Sequence, residues 1–456
     1  MRLNRSEIRR EARILIGLAW PVMLTSLNWT LMHLIDVKLV GQASTHELAA
    51  LAAGRTITFI SIVMGMAALV GVLVFASRAD GAKQPRETGE VLRQGVLFAL
   101  ALGLICLSAL MIWAEPMVRA VGVAPAMAHE GAAVVRGMAL AYPFQFVLAA
   151  TGYFLEGVSR PRRVMVVNLV MLPANALLAW AWVGGHLGLP AMGAVGAVMA
   201  TSVISAFGSI AILAAAWTLP DAAERGVRDL SAAAFGRALR GLPALARFGA
   251  VPSLAAGLEL AGFSYLIALS TQLGQVTAAA FQIVFSLHNF TFAFALGLGS
   301  AAGVRVGNAV GAGEPEQGRA RALIAAIMAM GAMAIVGAML WSAAAFLVAQ
   351  FSDDRAVIAM AGSLLALMAP FMLFDGLQLV FLYALRSFGD QVIAGVNGII
   401  AFFVVTGGLG WVLVDRGVGP AALVYASVAG MIVAAALQGA RLWYITRQGR
   451  LSPATA

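Results

Sequence analysis

Three carboxylates stand inside apolar segments: Glu259 in VPSLAAGLELAGFSYLIAL, Asp375 in LMAPFMLFDGLQLVFLYAL and Asp36 in LMHLIDVKLVG. An ionised group at the centre of a membrane span costs ~2.5–3.5 kcal/mol or more, so a carboxylate kept there is expected to hold or move charge. Its chemistry would be capture of a proton, a small cation or an organic cation in a low-dielectric setting. Glu259 is 12 residues on from Arg247 and Asp375 is 11 residues before Arg386. At 1.5 Å per residue both sit roughly 16–18 Å from the same charged border, a shared depth near the midplane. The alternative for this pair is two protonated carboxyls hydrogen-bonded within a bundle. Asp36 lies nearer the mouth of its segment, three residues after His33 and close to Lys38, where a hydrated interfacial role is the alternative. Asn28, Gln145, Asn168, Asn175, Gln282, His288, Asn289, Gln378 and Asn397 are further polar residues in spans, able to line a cavity or to bond between helices.

The elements that must position these groups are helices in a bilayer. Hydrophobic residues make up 61% of the 456 and charged ones 11%, against ~45–50% and ~25% in soluble domains. Mean hydropathy is +0.90. Segments of the ~20 apolar residues that a bilayer core requires recur about twelve times. The basic N-terminus followed by an apolar stretch has no A-x-A cleavage pattern and reads as a retained first helix. The single cysteine, Cys106, excludes an intramolecular disulfide and a thiolate metal site.

Threading Lys and Arg onto alternate sides tests the count. Twenty-four of the thirty fall on one side, and Lys38, Arg55, Arg119, Arg136, Arg355 and Arg416 fall on the other. The positive-inside rule then places both termini in the cytoplasm and accounts for the net charge of +9 without nucleic acid. The charged break from Pro220 to Arg247 divides the chain near its middle, giving lobes at 1–219 and 248–456 around a cytoplasmic linker at 220–247. A shift of about 230 residues lays Pro21 on Pro252, Gly81-Ala82 on Gly311-Ala312, Pro85 on Pro315 and Pro143 on Pro370. This is an internal duplication. Six helices per copy make the repeats parallel, two pseudo-symmetric lobes around a central cavity, with the substrate site expected between them. Under the same shift Asn28 falls opposite Glu259 and Leu148 opposite Asp375.

No H-E-x-x-H, G-x-S-x-G or Walker A pattern occurs, so neither hydrolysis nor ATP-driven pumping is expected. No cofactor is expected. Secondary transport driven by an ion gradient is what this leaves. Glu156 is expected to pair with Arg160 one turn on, as a surface salt bridge.

The motifs resemble the multidrug and toxic compound extrusion family, in particular its NorM branch, across nearly the whole chain. HLIDVKLVG with ELAALAA, VTAAAFQIVFSLHNF, and above all RVGNAVGAG from Arg305 to Gly313 carry the likeness. The resemblance implies a monomeric antiporter in the bacterial-type cytoplasmic membrane, surrounded by lipid, exporting amphipathic organic cations in exchange for Na⁺ or H⁺. It implies a cation-coupling and drug-competition site at Glu259 and Asp375, which would be the Na⁺ ligands if Na⁺ is the coupling ion. It implies a second site at Asp36 and Asn175, weakened because Ala179 replaces a polar residue common there. Phe263, Tyr265, Phe285, Phe374, Gln282 and Gln378 are candidates for the cavity wall. The rivals are a major-facilitator transporter, which shares the twelve-helix parallel-repeat plan, a lipid-linked precursor flippase of related fold, and, last, a receptor or intramembrane enzyme.

Overall fold

A computed structural model describes residues 4–447 of the chain. Among them every regular element is helical. Twelve long elements follow in order: α1 Arg5–Ala43, α2 Thr45–Gly81, α3 Pro85–Ala120, α4 as two segments Pro125–Ala139 and Tyr142–Gly157 bent by 45°, α5 Pro161–Gly184, α6 Gly193–Trp217, α7 Ala232–Gln272, α8 Gln275–Gly311, α9 Pro315–Ser342, α10 Arg355–Ser387, α11 Gln391–Asp415 and α12 Ala421–Arg447. Eleven are single helices long and apolar enough to cross a membrane, and the bent α4 brings the count to twelve. Proline opens α3, α5 and α9. Its fixed φ and missing N–H suit the first helical turn, where that donor has no partner anyway.

The basic residues assigned to one side fall at alternate helix ends: Arg78 late in α2, Arg160 before α5, Arg305 late in α8, Arg386 late in α10. Arg2 and Arg450, two charges of the same set, lie outside the described residues. Arg55 departs from the pattern. The charge count puts it on the outer side, yet it lies within α2, two residues before the apolar run ITFISIV.

By packing, the chain forms two units, one of residues Leu24–Ser253 and the other of Met1–Met23 with Leu254–Ala456. The division by packing therefore differs from the expected lobes 1–219 and 248–456. Each of α1 and α7 contributes to both units, and the two break points fall within one residue of repeat-equivalent positions. Glu11 shows why the first residues join the second unit: its carboxylate accepts two hydrogen bonds from Arg305, at 2.6 and 2.7 Å. The linker belongs with the first unit, where Arg225 on the stretch before α7 reaches Asp80 at 2.9 Å and Asp221 at 2.7 Å. Burial by itself would raise the Asp221 carboxyl, but the hydrogen bond and charge of Arg225 outweigh it and hold that carboxyl below its ordinary value.

The duplication is visible in the turns. Between α2 and α3, Ala82, Lys83 and Gln84 donate to Arg78, Asp80 and Ala79 at 2.8, 3.1 and 3.0 Å; between α8 and α9, Ala312, Gly313 and Glu314 donate to Asn308, Val310 and Ala309 at 3.0, 3.0 and 2.9 Å. Lys83 (φ 57°) and Gly313 (φ 76°) take the same left-handed place. The α4–α5 and α10–α11 turns match likewise, with Ser159 (φ 62°) opposite Gly389 (φ 85°). An L side chain in that region costs roughly 1–2 kcal/mol that glycine avoids, offset in part by glycine's greater chain entropy. Lys83→Gly is accordingly expected to stabilise the protein by about 0.5–1 kcal/mol, read as a rise in thermal unfolding temperature in detergent. A fall would show that the Lys83 side chain contributes more than its backbone costs.

The same turns register the halves more closely than sequence does. Tyr142–Gly157 of α4 and Met372–Ser387 of α10 are equivalent 16-residue segments. Asp375 therefore lies opposite Gln145 and not opposite Leu148. The discrepancy arises from the tighter turn Ala369–Phe371 that precedes the α10 segment. In α5 and α11 the same point departs from regular α-helix in two ways, through Pro173 in the first and through a widened i→i+5 stretch, Ile399–Gly407, in the second.

Candidate functional site

In the second unit, Asp375 opens the first turn of its α10 segment and is 2% exposed. Gln378, one turn on, donates its Nε2 to Asp375 Oδ1 at 3.3 Å. His288 from α8 brings Nε2 to 3.4 Å from Asp375 Oδ2, short of hydrogen-bond geometry, so both imidazole nitrogens and Oδ2 are buried without a hydrogen-bond partner. Glu259 from α7 is partly exposed. It stands one turn before Phe263 on the same face of α7. Buried polar atoms are nearly always satisfied, and a lone pair left open on a buried carboxylate is a ready acceptor for a cation or proton.

An aromatic wall stands beside this group. The Phe263 ring centroid is 5.6 Å from Phe285, 5.7 Å from Phe402 and 6.2 Å from the His288 ring. Phe402 belongs to the widened stretch of α11, and Gly262 lets α7 lie against it: a Cβ there would meet the Phe402 carbonyl oxygen at 2.2 Å. The structure thus brings Glu259, Asp375, Gln378, Phe263 and Phe285 together. Phe374 is partly buried, Gln282 is exposed and Tyr265 is 42% exposed. No hydrogen bond joins these three to either carboxylate among the described residues.

In the first unit, Asp36 is 2% exposed and has partners from three other helices. Asn175 of α5 donates to Oδ1 at 3.0 Å, and Thr201 of α6 and Arg55 of α2 donate to Oδ2 at 3.5 and 3.2 Å. Arg55 also donates to the His33 carbonyl oxygen at 3.2 Å and approaches His33 Nδ1 at 3.2 Å. A guanidinium has no lone pair to offer, so Nδ1 is the acceptor and the ring proton of His33 is on Nε2. The interfacial alternative for Asp36 does not fit so complete an enclosure. Ala179 is fully buried in α5, and the charge complement comes from Arg55 instead.

Repeat-equivalent positions differ in charge. Opposite Glu259 and Asp375 stand Asn28 and Gln145, 2% and 5% exposed. Asn28 donates to the Asn168 carbonyl oxygen at 2.8 Å and Gln145 to Ser205 at 3.3 Å, while their own amide oxygens have no partner. Glu156, expected in a surface pair, is 8% exposed and so is buried, because α4 packs that turn inward.

Three residues escaped the sequence reading as members of these clusters. His288 was noted only as a polar residue in a span, Arg55 was counted as a loop charge, and Thr201 was not singled out. The signal for Arg55 was available, since an arginine two residues before the apolar run ITFISIV stands inside a span. Among the described residues no group of three or more His, Cys, Asp or Glu side chains is assembled to hold a metal ion.

Comparison with known proteins follows the same division into halves. The MatE family model matches residues 21–181 and 254–412. A Caulobacter vibrioides protein named as a probable multidrug resistance protein NorM is 30% identical over 426 residues, covering 91% of this chain and 88% of that one. The multidrug resistance protein PmpM of Pseudomonas aeruginosa is 28% identical over 412 residues, covering 87% and 82%. The solved structure of the eukaryotic MATE transporter AtDTX14 has a TM-score of 0.84 at 21% identity, covering 98% of this chain and 100% of that one. A structure of MATE in complex with MaL6 has a TM-score of 0.86 at 19% identity over 97% of each chain. At such identities the structures speak for the fold.

Proposed function

Because the chain belongs to the MatE family, we propose that it is a multidrug antiporter exporting amphipathic, mostly cationic compounds in exchange for Na⁺ or H⁺. It is a multi-pass membrane protein and not an enzyme. The match of both halves to the family sets aside the major-facilitator alternative. The observation that carries the reading is the acidic pair in the second unit. Glu259 is one turn from Phe263 on α7, the Phe263 ring faces the His288 ring that stands beside Asp375, and Asp375 keeps an open acceptor next to this phenylalanine wall.

Two like charges in a low-dielectric setting repel, so a cation or proton that joins them is strongly bound. A lipophilic cation resting on the aromatic wall would use the same negative charge, and its aromatic contacts add cation–π attraction of ~0.5–2 kcal/mol. Binding of the coupling ion removes the charge that holds the drug. In alternating access, with ion entry from outside and drug release to outside, that competition is the coupling. We place the chain in the cytoplasmic membrane of a bacterial-type cell, as a monomer in lipid with both termini inside, on the distribution of its basic residues.

The test is efflux of a fluorescent organic cation from vesicles under separately imposed Na⁺ and proton gradients. One gradient is expected to drive efflux by the parent. Glu259→Gln should slow that gradient-driven component about tenfold, the loss expected when one charged partner worth ~1.5 kcal/mol is removed. Coupled efflux at the parental rate would remove Glu259 from the site.

A further inference from the structure

The first unit encloses a carboxylate that already has a cation. Asp36 is buried among four helices, and the charge facing it is not a vacancy for an ion but the guanidinium of Arg55, 3.2 Å away and 25% exposed at its side chain. We propose that Arg55 is the resident cation of the Asp36 site, filling the place a coupling ion would take, so that this chain couples through the second unit alone. The proposal rests on the antiporter reading above, and its test separates the two.

Three features support it. Arg55 is held from two sides, by Asp36 and by the His33 carbonyl oxygen at 3.2 Å, so its head group is fixed against the carboxylate. Both Asp36 oxygens are in use, Oδ1 by Asn175 and Oδ2 by Arg55 and Thr201. The charged and titratable groups facing the site from its four helices are then His33 on α1 and Arg55 on α2, while α5 and α6 present the neutral Asn175 and Thr201. A tethered cation competes as an intramolecular ligand, and even flexible tethers reach millimolar effective concentrations; a head group held at both ends exceeds that. A free ion would have to displace it and leave a guanidinium buried without its partner, a strongly unfavourable change.

The second feature of the halves agrees. The positions equivalent to Glu259 and Asp375 are the amides Asn28 and Gln145, so the first unit offers no second carboxylate at those points. The duplicated halves have thereby divided their work. One holds an internal ion pair and the other an acidic pair open to cations.

The experiment counts cations bound by the full-length protein in detergent, using radioactive Na⁺ at equilibrium and, in parallel, proton uptake with a pH-indicator dye. The background is Glu259→Gln with Asp375→Asn. In it no saturable cation site is expected. Adding Arg55→Gln should create one site per chain, for Na⁺ or for a proton, and raise thermal stability on cation addition. Adding Asp36→Asn as well should abolish it, and Arg55→Lys, which keeps a tethered charge, should not create it. Absence of a new site in folded Arg55→Gln protein would overturn the proposal. So would a cation site in the background that Asp36→Asn removes while Arg55 is present, a measurement that holds even if Arg55→Gln fails to accumulate. A background site insensitive to Asp36 would instead count against the acidic pair, and leaves the Arg55 increment readable on its own.

Discussion

Asp375→Asn should shift the coupling-cation dependence of efflux to roughly tenfold to a hundredfold higher concentration, while the protein still folds. The magnitude follows from losing an interaction with a charged partner, worth ~1.5–3 kcal/mol, at about 1.4 kcal/mol per factor of ten. Asp375 is expected to matter more than Glu259 because it is the better enclosed of the two, 2% exposed, in a position where a charge has little water to screen it. Its loss is felt by two neighbours, Gln378 at 3.3 Å and His288 at 3.4 Å. Asparagine keeps the shape and one carbonyl oxygen for Gln378 to donate to, so packing survives and charge alone is tested. The measurement is the initial efflux rate of a fluorescent cation from vesicles against external Na⁺ or proton concentration. A parental midpoint would exclude Asp375 from the coupling site.

The second large effect is expected far from that site. Glu11→Ala should destabilise the protein by about 2–4 kcal/mol, somewhat below the ~3–5 kcal/mol for breaking a fully buried pair, since the side chains of Glu11 and Arg305 are 12% and 17% exposed. Arg305 grips Glu11 with two parallel bonds, and Arg321 stands 3.9 Å from the same carboxylate while donating to the Arg305 carbonyl oxygen at 3.0 Å. Removing Glu11 leaves two arginines beside each other without their shared counter-charge. Glu11→Gln should lose less, and Arg305→Lys should resemble Glu11→Ala, because an ammonium lacks the planar fork that binds both oxygens. Thermal unfolding in detergent measures this. Equal stability for parent and Glu11→Ala would mean that the start of α1 is anchored by its apolar face alone.

RVGNAVGAG illustrates how much of this could be read beforehand. The motif carried the family resemblance, and its Gly313 could be seen to match the earlier turn at Lys83 by the repeat. That its arginine binds a glutamate 294 residues earlier could not be read, because nothing local records which distant helix packs against it. Asp36 and Asn175 were paired on resemblance, and they do bond, at 3.0 Å. Arg55 falls on the outer side in the charge count because such a count weighs each residue by position along the chain, and it cannot show that the guanidinium turns to a buried carboxylate on the neighbouring helix.

The amino-acid sequence by itself determined the solvent, the helical class, the count of twelve spans, the duplication and the carboxylates Glu259, Asp375 and Asp36. These follow from properties that are local or periodic: apolar length against bilayer thickness, the cost of a charge in hydrocarbon, and likeness between two stretches of chain. Only the tertiary structure decided which charges are open. Asp36 and Asp375 are both buried aspartates at 2% exposure, yet one faces an arginine and the other a histidine with no hydrogen bond between them. A carboxylate's function depends on the partner brought to it through space, and that partner is chosen by how helices pack, which the linear order of residues does not state.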